Sequence, residues 1–237
     1  MNTDRTTQLL PEPREVGLAL PDADLEGALT IPDNATGIVL FAHGSGSSRH
    51  SPRNRFVAEV LLSAGLGTLL MDLLTRDEDA IDQHTREFRF DIGLLAERLT
   101  GAIDWLAERP ETQSLPIGLF GASTGAAAAL QAAAARPKLV HAVVSRGGRP
   151  DLAGDALGHV QAPTLLIVGA DDTQVIPLNE MARQQMQAPA ELVLVPGATH
   201  LFEEPGTLAE ASGLARDWFN QYLVESRQSS VVSHQKN

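Results

Sequence analysis

The pentapeptide Gly121-Ala122-Ser123-Thr124-Gly125 stands between an apolar run and an alanine-rich stretch. A strand, a sharp turn and a helix in that order hold a serine in a strained backbone conformation and lift its hydroxyl above a sheet. The flanking positions 121 and 125 have no room for side chains in such a turn, a demand that glycine meets. The next backbone N–H, from Thr124, points to where negative charge would build on an attacked carbonyl. The helix N-terminus adds partial positive charge at the same place. No G-x-x-x-x-G-K-[ST] occurs, so the glycines do not read as a phosphate loop.

A serine nucleophile needs a base, and the base needs an orienting carboxylate. The run at 163–168 ends in Gly169-Ala170-Asp171-Asp172, and the run at 191–195 ends in Pro196-Gly197-Ala198-Thr199-His200. The candidate triad is therefore Ser123, Asp172 and His200, with Asp171 as the minority choice of acid. Taken alone, either aspartate would read as a turn residue and His200 as a surface histidine. Together, three side chains of the right types leave three strands at one edge, where sites in open α/β sheets gather. Arg146 ends another run at that edge, where it would meet a substrate carboxylate or pair with a neighbouring acid. Arg49, Arg53 and Arg55 read as solvated charge, as do His50, His84 and His234. No H-E-x-x-H or comparable ligand spacing is present, so neither metal nor cofactor is expected.

The elements that must position these groups follow from hydrophobic patterning. Six short apolar runs, at 37–42, 67–73, 116–120, 140–145, 163–168 and 191–195, are nearly continuous rather than alternating. Strands of a parallel sheet covered on both faces read this way. Helical stripes lie between them. Ser51-Pro52 opens one that Gly65 closes. Asp91 caps a second carrying Leu95, Leu99, Ile103 and Leu106, and a third lies around Leu178, Met181 and Met186. The last follows Thr207-Leu-Ala-Glu210, which reads as a capping box. Residues 15–20 and 25–31 form a hairpin around Pro21-Asp22. The expected fold is a mostly parallel, doubly wound α/β sheet with an antiparallel N-terminal hairpin and no separate cap domain. The expected organisation is an N-terminal extension at 1–14, one domain at 15–225 and a disordered tail at 226–237.

Composition narrows the class. Apolar residues make up 43% of the chain, and there is no cysteine, which removes disulfides, thiol nucleophiles and zinc knuckles. Eighteen basic and 30 acidic side chains give a net charge of −12, which argues against nucleic acid and anionic membrane partners. The start lacks the basic patch and apolar run of a secretion signal, and no run is long enough to span a bilayer. A cytoplasmic protein is expected; oligomeric state is not legible.

The chain resembles the α/β-hydrolase superfamily, and within it the dienelactone-hydrolase-like group, over roughly residues 15 to 225. The matching marks are Phe-Ala-His43-Gly44-Ser45-Gly46, the turn at Ser123, Gly-Ala-Asp-Asp172 with Val175 three residues later, and Gly-Ala-Thr-His200. The resemblance implies an oxyanion hole built from the N–H groups of Ser45 and Thr124, with Gly46 the fallback for Ser45 and His43 structural. It also favours Asp172 over Asp171. The dienelactone hydrolases proper use cysteine where position 123 is serine, so the implied activity is that of a general serine esterase on small soluble esters, with water as second substrate. Only 146–162 intervene where many relatives insert a cap, and the charged segment 75–90 is the other candidate cover. Two further readings stand beside this one. The first is a nucleotide-binding protein using Gly44-Ser-Gly46 and Asp72, although Arg49 replaces the third glycine of G-x-G-x-x-G. The second is a hydrolase fold serving as a non-catalytic binding module.

Overall fold

All six apolar runs form parallel strands of one eight-stranded sheet in the computed structural model of the chain, which describes residues 10–234. The strands are β1 (Arg14–Ala19), β2 (Asp24–Thr30), β3 (Ile38–Ala42), β4 (Gly67–Met71), β5 (Ile117–Ala122), β6 (Val140–Arg146), β7 (Thr164–Gly169) and β8 (Ala190–Val195). Their spatial order is β1-β2-β4-β3-β5-β6-β7-β8. β1 and β2 pair antiparallel, β2 pairs antiparallel with β4, and all later pairings are parallel. Every residue of β3, β4, β5 and β7 is buried, because helices cover both faces.

The helices are α1 (Pro52–Ser63), α2 (Arg76–Thr85), α3 (Ile92–Glu108), α4 (Thr124–Ala135), α5 (Ile176–Gln185) and α6 (Thr207–His234), with a 3₁₀ segment at Pro150–His159. α1 and α6 pack on one face around Phe41, Phe120 and Phe219; α3 and α4 pack on the other around Leu40, Leu69 and Leu119. α4 is nearly all alanine because it lies close on the sheet: Ala126–Ala129 are fully buried.

Side-chain caps explain the starts of three of the six described α-helices. The Ser51 hydroxyl accepts from the Asn54 N–H, and the Asp91 carboxylate from the Leu94 N–H. α2 falls inside the charged stretch at 75–90 and starts on a complete capping box, Thr75 with Glu78. The box expected at Thr207 does not form. The Thr207 hydroxyl instead donates to the Glu204 carbonyl, and the Glu210 N–H goes to the Gly206 carbonyl. Carbonyls of the preceding loop thus accept from the Thr207 and Glu210 N–H groups that a capping box would have bound.

α6 also runs through Ser226–His234, a stretch expected within a disordered tail. Helix propagation adds one hydrogen bond per residue fixed, so the helix does not end where its apolar stripe ends. Residues 1–9 of the expected N-terminal extension and 235–237 of the expected tail lie outside the described residues. Among the described residues, no helix is long and apolar enough to cross a membrane.

Candidate active site

Ser123 sits between β5 and α4 with φ 53° and ψ −125°, a strained conformation for a residue with a side chain. The neighbouring glycines make the turn possible. A Cβ on Gly121 would lie 2.4 Å from Ala126 Cα, and one on Gly125 would lie 2.4 Å and 2.5 Å from the carbonyl oxygens of Ala42 and His43. The β3–α1 loop therefore passes directly over the turn: a Cβ on Gly44 would stand 3.0 Å from Ser123 Cβ.

That loop is fastened from below. His43 is buried; its Nε2 accepts from the Leu73 N–H at 3.1 Å and its Nδ1 lies 2.9 Å from the Gly44 carbonyl. These contacts place the ring proton on Nδ1. Burial pushes the imidazole below its ordinary value, which keeps it neutral. His43 thus ties the loop after β3 to the end of β4.

The expected oxyanion donors divide. The Thr124 N–H lies in the first turn of α4, where amides lack intrahelical partners. The Ser45 N–H is engaged: it donates to Thr124 Oγ1 at 3.1 Å, and the two hydroxyls lie 2.9 Å apart. Gly46, with φ 68°, follows it in the loop. The Thr124 side chain is a member of the site that motif reasoning did not assign. Its signal was only its place beside the serine.

Asp172 and His200 meet. His200 Nδ1 lies 2.7 Å from Asp172 Oδ2, and the carboxylate is largely buried while the imidazole is partly open to solvent. Glycine again permits the approach, since a Cβ on Gly169 would fall 2.2 Å from the Ala198 carbonyl oxygen. The Asp171 N–H donates to that same oxygen at 3.0 Å, and the Asp171 side chain is exposed. The Gly147 backbone, with φ 52°, runs beside the His200 carbonyl, and the Ser123 N–H donates to the Arg146 carbonyl at 3.4 Å. Ser123 and His200 thus flank the same short turn. The Ser123 hydroxyl makes no hydrogen bond among the described residues, so the Asp172–His200 contact is closed and the His200–Ser123 contact is open. Such contacts commonly tighten only when substrate is present.

Sequence reasoning missed the clasp on the histidine loop. Glu204 accepts from the Thr199 hydroxyl at 2.6 Å and from the Thr199 N–H at 3.1 Å, and these bonds hold its carboxyl below the usual range. Phe202, buried at φ 56°, completes the loop.

A cavity of about 690 Å³ opens beside the turn, between the β3–α1 loop and α2. Ser45, Ser48, Thr124, Asp79 and Gln83 are among its polar lining residues, with Leu73 and Leu95 at its apolar side. Thr75, Arg76, Asp79, Asp82, Gln83 and Arg89 from the segment at 75–90 line this cavity. Arg89 bridges back to Asp82, and its Nη1 lies 3.1 Å from where a Cβ on Gly46 would be. Arg49, expected in solvent, is largely buried and bound to Asp72 and Glu26. Arg53 pairs with Glu203 and Arg55 with His50. Arg146 lies buried at the end of β6. No group of three metal-ligating side chains occurs among the described residues.

Comparison with known proteins adds to this geometry. The model of the dienelactone hydrolase family matches residues 25–223. A dienelactone hydrolase from Anabaena variabilis, of known crystal structure, is 61% identical and superposes with a TM-score of 0.89, covering 91% of this chain and all of that one. Est1E from Butyrivibrio proteoclasticus shares the fold at 15% identity and a TM-score of 0.73, covering 87% of this chain and 98% of that one. A Mycobacterium tuberculosis protein named "Putative phosphoribosyl transferase" is 58% identical over 209 residues, 88% of this chain. Those residues are 46% of that protein, so the chain spans about half the length of the curated relatives it matches.

Proposed function

Because the chain belongs to the dienelactone hydrolase family, we propose that it is a serine hydrolase that cleaves small, soluble esters through an acyl-enzyme. The observation that carries this reading is the 2.7 Å Asp172–His200 pair, presented on the same rim as a serine held at φ 53°. His200 takes the Ser123 proton as the hydroxyl attacks the ester carbonyl. Asp172 fixes the ring with Nδ1–H toward the carboxylate, leaving Nε2 to act as base. The Thr124 N–H and the N-terminus of α4 stabilise the oxyanion. The Ser45 N–H joins them once Thr124 Oγ1 is displaced from it. The alcohol departs with the proton from His200, and water repeats the sequence to release the acid.

Two features support small substrates. β6 and β7 are joined by a short 3₁₀ segment rather than a cap, and serine, threonine, aspartate and arginine side chains are among those that line the adjoining cavity. A nucleotide-binding reading fares worse. The Asp72 carboxylate, which would have met a ribose, is occupied by the Arg49 N–H and guanidinium. The name of the M. tuberculosis relative does not carry over, since this chain matches less than half of it.

Fluorophosphonate labelling followed by peptide mapping tests the proposal. Ser123 is expected to carry the label, and Ser123→Ala to lose about 10⁶-fold in kcat on p-nitrophenyl acetate. Survival of more than a per cent of activity in that variant, or absence of label from Ser123, refutes it. A fold without catalysis would take up no label at all.

A further inference from the structure

α5 buries two residues, Ala182 and, unusually for a position packed against the core, the amide of Asn179. Asn179 Nδ2 donates twice, to the Val175 carbonyl at 2.9 Å and to the Gly148 carbonyl at 3.1 Å. Both neighbours are acceptors, which turns the nitrogen rather than the oxygen toward them. Oδ1 is left without a hydrogen-bond partner among the described residues. An orphaned buried oxygen is costly, and a leucine at this position would avoid the cost. Stability alone therefore does not account for the amide. The two carbonyls belong to the two halves of the site. Val175 lies in the turn that begins at Asp172, where the Val175 and Ile176 N–H groups both donate to the Asp172 carbonyl, at 3.0 Å and 3.3 Å. Gly148 lies in the turn after β6, where the Arg149 N–H donates to the Ser123 carbonyl at 3.1 Å and the Gly147 backbone runs beside the His200 carbonyl. Gly148 also sits so close to α4 that a Cβ on it would stand 2.6 Å from Ala126 Cβ. The Gly147 N–H, on the Ile167 carbonyl at 2.8 Å, carries the β6–β7 ladder to the strand ends, and the Asn179 amide continues the tie beyond them.

We propose that Asn179 is a positioning residue of the hydrolase, whose amide sets the distance between the Asp172 turn and the turn that Ser123 and His200 flank. This deepens the esterase reading and rests on it. Asp172 moves with α5, because its carbonyl accepts the first N–H groups of that helix. The loop of His200 is held separately, by the Glu204 clasp on Thr199. Once the bridge is cut, any drift of α5 away from the turn after β6 falls on the contact between Asp172 Oδ2 and His200 Nδ1. That contact fixes the ring that must take the Ser123 proton, and displacements well under 1 Å at such groups are felt in turnover.

The test uses two variants. Asn179→Leu removes both donors at similar volume. Asn179→Thr keeps a hydroxyl that can bond the Val175 carbonyl one turn back but is one bond too short for the Gly148 carbonyl. In both, kcat on p-nitrophenyl acetate is expected to fall by about 10–100-fold while KM stays within about twofold, the split of a group that acts only in the transition state. Tm should move by only a few degrees, because the orphaned oxygen leaves together with the bridge. Proton NMR of the resting chain supplies a readout that packing alone would not move. The Nδ1 proton of His200, held against a carboxylate at 2.7 Å, should resonate far downfield in the wild type and shift upfield or broaden in both variants. Retention of kcat within about threefold by Asn179→Thr overturns the inference, since the bond inside α5 would then suffice. A fall in kcat with the downfield signal unmoved, or a raised KM with kcat kept, overturns it as well. If Asn179→Leu does not fold, Asn179→Thr decides by the same criteria. A wild-type chain that neither hydrolyses the ester nor takes label at Ser123 defeats the esterase reading, and the inference with it.

Discussion

The Gly125→Ala substitution puts one methyl group where the site has no space. The added carbon would stand 2.4 Å from the Ala42 carbonyl oxygen and 2.5 Å from that of His43, both of them backbone. Restoring even a tight contact of about 3.2 Å requires a displacement of roughly 0.8 Å between α4 and the loop after β3. No side chain can rotate away, so the backbone itself must yield. Overpacking of this kind costs about 1–3 kcal/mol. For a domain of this size, that lowers Tm by roughly 2–12 °C. The catalytic effect should exceed the effect on stability. The displaced atoms lead into Gly44 and Ser45, and a shift near 1 Å at reacting groups costs about 100-fold. The assay is kcat on p-nitrophenyl acetate at a temperature where circular dichroism shows the variant folded, together with its thermal midpoint. Gly213→Ala is the control: a Cβ there meets nothing closer than Arg216 Nη2 at 4.0 Å, inside α6. It should stabilise by about 0.5–1 kcal/mol and leave kcat alone. Retention of kcat within threefold by Gly125→Ala would refute the inference that the glycine sets the spacing between turn and loop.

Asp172→Asn keeps the shape but loses the acceptor that fixes the His200 ring, so kcat should fall by about 10⁴-fold with little change in Tm; a loss under tenfold would point to Asp171. Glu204→Gln weakens the clasp on Thr199 and should lower kcat by roughly tenfold while KM holds, and Glu204→Asp should recover less than half of that loss. Acid should destabilise the fold through His43 and half-buried His141, whose rings burial holds below the ordinary value of 6.5. The unfolded chain binds those protons first, so this stability is complete above pH 6.5 and is lost as pH falls through the depressed values. Urea midpoints at pH 7.5, 6.5 and 5.5 should decline in that order; a rise on acidification would contradict the burial argument.

The parallel strands were readable because covered strands are written as unbroken apolar runs, and the positions of Ser123, Asp172 and His200 followed from where those runs stop. The hairpin fell within a residue of its observed limits, its two strands set apart by the turn at Pro21-Asp22. Strand order was not legible: β4 lies between β2 and β3, a choice made by crossovers and packing rather than by any local pattern. α2 escaped notice because it is charged on most of its surface and buries little beyond Asp82, leaving a cap but no stripe. The engagement of Ser45 by Thr124, the Glu204 clasp and the Asn179 bridge are contacts between separate segments. Sequence supplied the participants in each, and only the assembled rim pairs them.

The 3₁₀ segment between β6 and β7 has a bearing on what this scaffold can become. It breaks at Gly154, with φ 57° and open space where a Cβ would sit. Extra chain spliced there would leave the strand ends at their present spacing, since both flanking strands are anchored in the sheet. The same kink is thus a natural point of entry for a roof over the rim. A graft at that position should restrict bulky esters by access while leaving turnover of the smallest ones intact.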